Sequence, residues 1–451
     1  MKQFLLYFFG FIVVLFTSCT AYLDERPDLS LALPDNLKEL EALLDYEDRL
    51  TLYFPAAGDI AADYYFLHEP DWQGRNIDAR NTYTWFPEAQ NPNDWIYAYI
   101  KIFISNVVLD NIEEAKAGNL TENDRKEIKG RAYFYRGWTY YHLSQLYCPH
   151  FEYGDEDSEY GLPLKHSSDI NEAIERSSVE TTYVQMVSDL EMAVRLLPEK
   201  SSIETRPSKA AAYGALARLY LVTGNYEKSL AYADSCLQIK DNLLDYNELN
   251  PTANLPFALL NEEVVFHAIM LTSSGIHTQS RAYADSLLVQ KYEEDDLRSA
   301  LYFRLQPNGQ FWFKGFYSGS SANFFAGIAT DEIYLIKAES LVRLDRLPEA
   351  HETLNSLLVT RFTTGTYQSD WDGSQEMLLS KIITEREKEL LFRGGIRWSD
   401  LRRLNRDSRF AKTLRRKIGD VEYELPPNDL RYTFLLPFDV VQQSDLKQNP
   451  R

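Results

Sequence analysis

The chain of 451 residues carries 67 acidic and 47 basic residues, which gives a formal net charge of −20 at pH 7. A surface this acidic disfavours binding to nucleic acid and to other polyanions. The acidic excess is spread along the chain, so it indicates a solvated surface and no particular partner. A chain of this length can bury a substantial core and could hold two or three domains by length alone.

The N-terminus is typical of an exported lipoprotein. Residues 1–18 contain Lys2, an apolar run from Phe4 to Phe16 and then small residues, which is the pattern of a signal peptide. The run is shorter than the ~20 residues that a membrane-spanning helix needs. Ser18-Cys19 follows it and resembles a lipobox, although Phe16 replaces the usual aliphatic residue. We therefore predict that Cys19 is an acylated lipid anchor; an ordinary secretory peptide with an incidental cysteine is the alternative.

Downstream of Cys19 the chain is first polar and then irregular. Residues 19–31 are predicted to be an extended tether, and residues 36–52 a first helix. Between residues 54 and 93 the periodicity fails, and Gly, Pro, Asn and Asp mix with aromatic residues. This segment is predicted to be a long aromatic loop region.

Helical periodicity then becomes strong. The spacing of apolar residues predicts long helices over 94–117, 123–147 and 181–197. Thr121 and Asp124 stand where a capping box would begin the second of these helices, with Asp in place of the preferred Glu or Gln.

Two segments resemble tetratricopeptide repeats, in which small residues let paired helices approach closely. In the first segment, two predicted helices meet at Gly224-Asn225, and the same pattern recurs over 334–358. Residues 241–329 separate them as a large insertion that is rich in Tyr, Phe, Gly and Ser, with strand-like alternation at 263–269. Helical patterns return at 375–392 and 398–404, after this second unit.

Cys148 and Cys236 lie within apolar helical patterns and form neither a CxxC pair nor a metal-ligand spacing. Buried free thiols are the preferred interpretation. A disulfide between them remains an alternative, because sequence separation says nothing about distance in space.

The sequence offers little that suggests catalysis. Glu385 and Glu389 lie one helical turn apart, a spacing compatible with a glycosidase, but neighbouring basic residues favour an ion-pair network. No second histidine follows His68-Glu69 at zinc-site spacing, and no nucleophile elbow or phosphate-binding loop is present. The acidic residues at 155, 157 and 159 could form a calcium site, but a solvated loop is the preferred interpretation. We predict no catalytic residue, metal or cofactor.

Aromatic rings in irregular chain favour sugar binding, because the apolar face of a pyranose stacks on a ring while nearby polar groups bind its hydroxyls. For any one ring, packing beneath a loop is an equally good explanation. Trp95, Trp138 and Trp398 lie on predicted helices and are assigned to the core. The candidate ligand-binding residues are Trp72, Arg75, Tyr83, Trp85, Trp312 and Tyr317.

Several motifs jointly resemble the SusD/RagB family of outer-membrane nutrient-binding lipoproteins, and the resemblance covers essentially the whole chain after Cys19. One departure is Arg393-Gly394-Gly395-Ile396, where family members tend to have an acidic residue, Gly and His. The motifs that carry the resemblance are RAYFYRGWTYYHLSQLY from Arg131, Gly161-Leu162-Pro163-Leu164, Arg206-Pro207-Ser208, Asp295-Asp296-Leu297-Arg298, Glu385-Arg386-Glu387-Lys388, Arg397-Trp398-Ser399-Asp400 and Gln448-Asn449-Pro450.

The resemblance implies a single all-α domain over 19–451, with about four tetratricopeptide-like helix pairs and a loop-rich half that faces ligand. It also implies a lipid-anchored protein at the cell surface of the outer membrane. Such a protein captures oligosaccharide, or sometimes peptide, for a SusC-like TonB-dependent transporter and catalyses nothing. Two alternatives remain open at this point: a repeat scaffold that binds protein partners in the cell envelope, and a glycosidase.

Overall fold

Helices form most of the structure, a computed structural model that describes residues 34–270 and 274–451. The predicted signal peptide, the tether and Cys19 lie outside the described residues. The helices are α1 (Leu37–Leu44), α2 (Glu47–Leu50), α3 (Ala57–Ala61), α4 (Glu69–Gln73), α5 (Ile77–Tyr83), α6 (Pro92–Asn111), α7 (Glu122–Tyr147), α8 (Val179–Leu196), α9 (Lys209–Val222), α10 (Tyr226–Ile239), α11 (Ser286–Val289), α12 (Leu297–Tyr302), α13 (Thr330–Arg343), α14 (Leu347–Leu358), α15 (Gln375–Glu389), α16 (Ile396–Leu404) and α17 (Phe438–Ser444).

The strands are short and fall mostly within the two irregular regions. They are β1 (Tyr65–Phe66), β2 (Val264–Phe266), β3 (Ile269–Met270), β4 (Tyr283–Ala284), β5 (Phe303–Leu305), β6 (Phe311–Phe313), β7 (Phe324–Phe325), β8 (Ile328–Ala329), β9 (Leu414–Ile418) and β10 (Val421–Leu425).

The long helices stack in chain order. Helix α6 packs on α7, α7 on α8, α8 on α9, and α9 on α10. Helix α10 then packs directly on α13, which also contacts α14 and α15. The predicted all-α, tetratricopeptide-like class is confirmed. The insertion at 241–329 does not interrupt the stack of helices, because α10 and α13, on either side of the insertion, pack against each other.

Local sequence signals explain where these helices begin and turn. The Thr121 backbone N–H donates to Asp124 Oδ2 at 2.6 Å, and the Asp124 N–H donates to Thr121 Oγ1 at 3.3 Å, so the predicted capping box is confirmed. Gly224 adopts a φ of +70° in the turn between α9 and α10, a conformation that favours glycine. The Asn225 side chain then caps α10 by accepting from the Lys228 N–H at 3.1 Å.

The structure corrects two details of the sequence-based prediction. The first helix is broken near Asp45-Tyr46 into α1 and α2. The region at 54–93, predicted to be loop, contains β1 and the short helices α3, α4 and α5. Elements of two to seven residues are too short to show a periodic hydrophobic pattern over a sequence window.

A four-stranded antiparallel sheet joins the two irregular regions. Its strand order is β1-β4-β6-β5, so a strand from the 54–93 region pairs with the insertion. The register places Phe66 opposite Tyr283, and Trp312 opposite both Tyr283 and Arg304. Chain segments more than 200 residues apart in sequence thereby form one surface.

Both described cysteines, Cys148 and Cys236, are buried and free, as the sequence predicted. Within the described ranges, no helix is both long enough and apolar enough to cross a membrane.

Candidate functional site

The four-stranded sheet has one buried and one open face. Successive residues of a strand point to opposite faces. On one face the side chains of Tyr65, Ala284, Phe303 and Phe313 are buried in the core. On the other face lie the partly exposed side chains of Phe66, Tyr283, Trp312 and Arg304, which we call the open aromatic face.

The rings of the open aromatic face form a continuous row across three strands. Phe66 and Tyr283 stack with centroids 5.7 Å apart, and Tyr283 and Trp312 lie 6.3 Å apart. The Arg304 guanidinium lies over the Trp312 ring at 5.6 Å, and the His68 ring meets Tyr283 edge-on at 5.1 Å. A row of rings at these spacings offers an apolar surface bounded by cationic and polar groups.

Polar groups surround this row. His68 Nε2 and Gln310 Oε1 are 2.9 Å apart, and Asn308 Nδ2 lies 3.5 Å from the Tyr283 hydroxyl. Arg304 Nη1 donates to Asn254 Oδ1 at 2.7 Å. His68 and Asn308 are exposed and can also meet a ligand from solvent.

Trp72 and Arg75 are partly exposed and follow His68 closely in the chain. Trp72 lies on α4, one turn after His68; its Nε1–H donates to the Arg80 carbonyl at 3.3 Å, and the Arg80 guanidinium lies 5.4 Å from the ring. Arg75 Nη1 donates to the Ser274 carbonyl at 3.5 Å. Of the six predicted ligand-binding residues, Trp72, Arg75 and Trp312 remain available to a ligand.

Tyr83 and Trp85 are buried, which removes them from the predicted ligand surface. They are only 1% and 3% exposed. The Tyr83 hydroxyl accepts from the Leu67 N–H at 3.0 Å, and Trp85 Nε1–H donates to the Ala61 carbonyl at 2.9 Å. The Arg416 guanidinium lies over both rings, at 3.6 and 4.7 Å. Both residues therefore follow the alternative considered in the sequence: their rings pack beneath a loop instead of facing a ligand.

Tyr317 requires the same correction. It is 1% exposed, its hydroxyl donates to Glu263 Oε2 at 2.6 Å, and Arg393 lies 3.6 Å from its ring centroid. Burial raises the pKa of Tyr317, and the charges of Glu263 and Asp331 raise it further. Tyr317 is therefore part of an internal charge network and offers no face to a ligand.

Glu385 and Glu389 belong to this network, which confirms their interpretation as ion-pair partners. Glu385 Oε2 accepts from Arg298 at 2.6 Å, and Glu389 accepts from Arg298 at 3.0 Å and from Arg361 at 2.8 Å. Burial alone would raise the pKa of Glu389, but Arg361 and Arg298 outweigh burial and lower the pKa. The Glu389 carboxylate is held ionised, and both carboxylates already accept from guanidinium groups.

The acidic loop residues considered for calcium each have a separate partner. Asp155 pairs with Arg406, Asp157 accepts from the Glu180 N–H, and Glu159 pairs with Lys447. Across residues 34–270 and 274–451, no group of three or more His, Cys, Asp or Glu side chains could hold a metal ion.

Sequence reasoning missed Phe66, Tyr283 and His68. Phe66 and Tyr283 each lie in a strand of two residues, where alternation cannot be recognised. The only available signal was the aromatic run that ends at Phe66, and it does not reveal which ring points outwards.

Comparison with known families identifies the chain. Residues 21–221 match the sequence model of a SusD-like family described as "Starch-binding associating with outer membrane". Residues 330–449 match the model of the SusD family itself. The two matches together span well over half of the chain. The chain belongs to the SusD family. The resemblance found in the sequence is thus confirmed, and the matched description associates this family with the outer membrane.

A curated relative covers only part of the chain. SusD-like protein P2 from Formosa agariphila is 27% identical over 211 residues, which are 46% of this chain and 38% of the relative. The match therefore spans less than half of the length of either protein.

Solved structures show the SusD fold over nearly the whole chain. A SusD superfamily protein from Bacteroides thetaiotaomicron has a TM-score of 0.75 at 21% identity and covers 92% of this chain and 100% of its own. A putative sugar binding protein from Bacteroides vulgatus has a TM-score of 0.75 at 20% identity, covering 93% and 99%. Surface glycan-binding protein A from Bacteroides uniformis has a TM-score of 0.69 at 15% identity, covering 92% and 98%.

In this member of the SusD family the motif at 397–400 serves the fold. Arg397 donates through Nε to Asp63 at 2.7 Å, the Trp398 side chain is fully buried, and Asp400 pairs with Arg386 and Arg403. The departure at 393–396 is structural as well. A Cβ on Gly394 would lie 2.7 Å from the Ala326 Cα, and both Gly394 and Gly395 have positive φ.

Proposed function

We propose that this protein is a non-catalytic glycan-binding lipoprotein of the outer membrane, which captures oligosaccharide on the open aromatic face. The observation that carries the proposal is the row of Phe66, Tyr283 and Trp312 across three strands, partly exposed and edged by polar side chains. Rings held on paired strands lose little conformational freedom when a ligand stacks on them, so this row is better prepared for binding than rings on a free loop.

The chemistry of the face suits a sugar. The apolar side of a pyranose can lie on Tyr283 and Trp312, while its hydroxyls can exchange hydrogen bonds with His68, Gln310 and Asn308. Arg304 lies beside Trp312 and adds N–H donors at the edge of the row. Ligand sites typically combine a largely apolar surface with a few convergent polar groups.

Anchoring and delivery complete the proposal. We infer that Cys19 carries the lipid, that the protein is exposed at the cell surface, and that a SusC-like TonB-dependent transporter receives the ligand. The family description and the names of the relatives support a surface role in sugar binding. A binding role without catalysis agrees with the ion pairs of Glu385 and Glu389, whose carboxylates are bound to Arg298 and Arg361.

A screen of polysaccharides by affinity electrophoresis, followed by calorimetry, tests the binding proposal. The purified protein should be retarded by at least one glycan, and Trp312→Ala and Tyr283→Ala should each reduce that retardation. Phe438→Ala is the matched control, because Phe438 is a 57% exposed aromatic residue outside the sheet. Retention of the same glycan by wild type and both sheet variants alike would refute the open aromatic face as the site.

Co-purification from native membranes in mild detergent tests the partner. Recovery of a barrel transporter with the protein supports delivery. Recovery of an envelope assembly complex instead would favour the alternative of a repeat scaffold.

A further inference from the structure

A second cleft lies between the α9–α10 turn and the C-terminal part of the chain. Its inner cavity has a volume of about 210 Å³ and is lined by His150, Arg402, Asn405 and Tyr432, among others. At Arg406 and Asn428 it adjoins an outer cleft of about 660 Å³, which is also lined by Arg343 and Arg403. Together the two volumes fall within the range of small-molecule sites, about 300–1,000 Å³. None of the residues of the open aromatic face lines either one.

Residues that line the inner cavity carry buried polar side-chain atoms with few partners. Arg402 Nε and His150 Nδ1 form no hydrogen bond with any described residue, and the Tyr432 hydroxyl and Asn405 Nδ2 have only each other as neighbouring partners. Arg402, Asn405 and Tyr432 are only 3%, 4% and 5% exposed. A buried polar group without a partner costs about 1–3 kcal/mol.

Arg402 is the most informative of these residues. Its Nη1 and Nη2 donate to the carbonyls of Ser144, Gln145 and Cys148 at the C-terminal end of α7. No carboxylate in the described part of the chain forms a salt bridge with it. The partial negative charge of a helix end offsets only part of a full positive charge. Burial accordingly lowers the pKa of Arg402, yet a guanidinium stays charged in proteins.

The surrounding acids do not supply the missing counter-charge. Asp429 lines the inner cavity but accepts from the Nε and Nη2 of Arg431 at 2.8 and 2.9 Å. Glu152 and Asp407 line the outer cleft. Glu152 lies 3.5 Å from Arg406 Nε and 3.6 Å from His150 Nε2, and Asp407 pairs with Arg409 at 2.6 Å. The positive charge of Arg402 therefore remains available inside an otherwise acidic protein.

We propose that this cleft is a second ligand site, which binds a sugar-sized hydroxylated carboxylate such as a uronic acid. The Nε–H of Arg402 has no acceptor among the described residues and suits one carboxylate oxygen. Asn405 lies one helical turn further on and can donate to the second oxygen. The Tyr432 hydroxyl and the His150 ring can each exchange hydrogen bonds with ligand hydroxyls. The chain's net charge of −20 disfavours long polyanions but does not prevent one charge from entering a local cluster of arginines.

Titration calorimetry of the purified protein with D-glucuronate, D-glucose and sodium sulfate tests the proposal. Glucuronate should bind, and glucose and sulfate should each bind at least tenfold more weakly, because one lacks the charge and the other the sugar hydroxyls. Absence of glucuronate binding up to about 20 mM by folded wild-type protein would overturn the proposal. Equal binding of all three ligands would overturn it as well.

Asn405→Asp is the sharpest variant. It keeps the Oδ1 that accepts from the Lys412 N–H, but it replaces an amide donor with a negative charge near Arg402. The new carboxylate should supply the internal counter-charge, so the melting temperature should hold or rise while glucuronate affinity falls at least tenfold. Asn119→Asp makes the same charge change at an exposed turn and should leave affinity unchanged. Undiminished glucuronate binding by folded Asn405→Asp protein would refute the site.

Two further variants separate this site from the open aromatic face. Tyr432→Phe removes only the hydroxyl and should weaken glucuronate binding about two- to tenfold, the equivalent of one neutral hydrogen bond. Trp312→Ala should leave glucuronate binding unchanged even if it abolishes oligosaccharide retention. Loss of glucuronate binding in Trp312→Ala but not in Asn405→Asp would assign the ligand to the aromatic face and overturn the second site.

Discussion

Trp312 and Tyr283 are direct neighbours on antiparallel strands, and their ring centroids lie 6.3 Å apart. If one sugar chain contacts both rings, their contributions to binding should be coupled. In a double-mutant cycle of Trp312→Ala and Tyr283→Ala, we expect an interaction energy of at least about 0.5 kcal/mol in glycan affinity, measured by calorimetry. A cycle of Trp312→Ala with Phe438→Ala should be additive. Additive losses in both cycles would show that the two rings do not share a ligand.

Trp85→Ala should destabilise the protein and not affect the ligand surface directly. The ring is 3% exposed, donates to the Ala61 carbonyl and packs beneath Arg416. Removing a buried Trp side chain costs about 3–5 kcal/mol, which denaturant unfolding can measure. Glycan affinity of the remaining folded protein should match wild type. A stable variant with weakened binding would restore Trp85 to the ligand site.

Glu389→Gln should be strongly destabilising, because it leaves Arg298 and Arg361 with less counter-charge in a fully buried network. Breaking a buried ion pair from one side typically costs about 3–5 kcal/mol. Glu352→Gln, at an exposed position of α14, is the control and should change the free energy of unfolding by less than about 0.5 kcal/mol. If Glu389→Gln were as stable as wild type and abolished release of sugar products, the glycosidase alternative would return.

Asp59→Asn should alter how stability depends on pH. Burial raises the pKa of Asp59 from 3.8 to about 7, and the charge of nearby Asp94 adds to this, although the Gly395 N–H opposes it. Because the pKa of Asp59 is higher in the folded than in the unfolded protein, the contribution of the protonated Asp59 to stability is complete below about pH 4. It is lost as the pH rises towards 7.

The amide of Asp59→Asn stays neutral, so this variant should match wild type near pH 3.5. It should exceed wild type by on the order of 2 kcal/mol at pH 8, as measured by chemical denaturation. A stability difference between Asp59→Asn and wild type that stays constant from acidic to neutral pH would contradict the raised pKa.

The sequence was most informative where elements are long. The helices α7, α9, α10, α13 and α14 follow periodic apolar patterns, so their existence and pairing were predictable. Helices α7, α9 and α10 also begin at side-chain caps. The ion-pair role of Glu385 was predictable too, because basic residues lie within one helical turn of it.

The candidate site was less predictable, because it depends on pairing between distant strands. Trp85 and Trp312 have similar local sequence surroundings, each with polar residues and a nearby aromatic ring. Arg416 packs over Trp85 and helps to bury it, whereas the sheet register leaves Trp312 partly exposed. The free guanidinium of Arg402 was equally hidden, since its lack of a carboxylate partner is a property of the folded chain.

Contact between α10 and α13 has a consequence for how the protein folds. Residues 240–329 separate the two helices, so their docking closes a long loop. Closing this loop costs conformational entropy, and the contact between the helices stabilises the folded chain only after that cost is met. Contacts of this sequence separation slow folding. We expect the N-terminal helices to form first. Until the insertion has folded, α10 should expose an apolar face, and during that time the chain should be prone to aggregation and proteolysis.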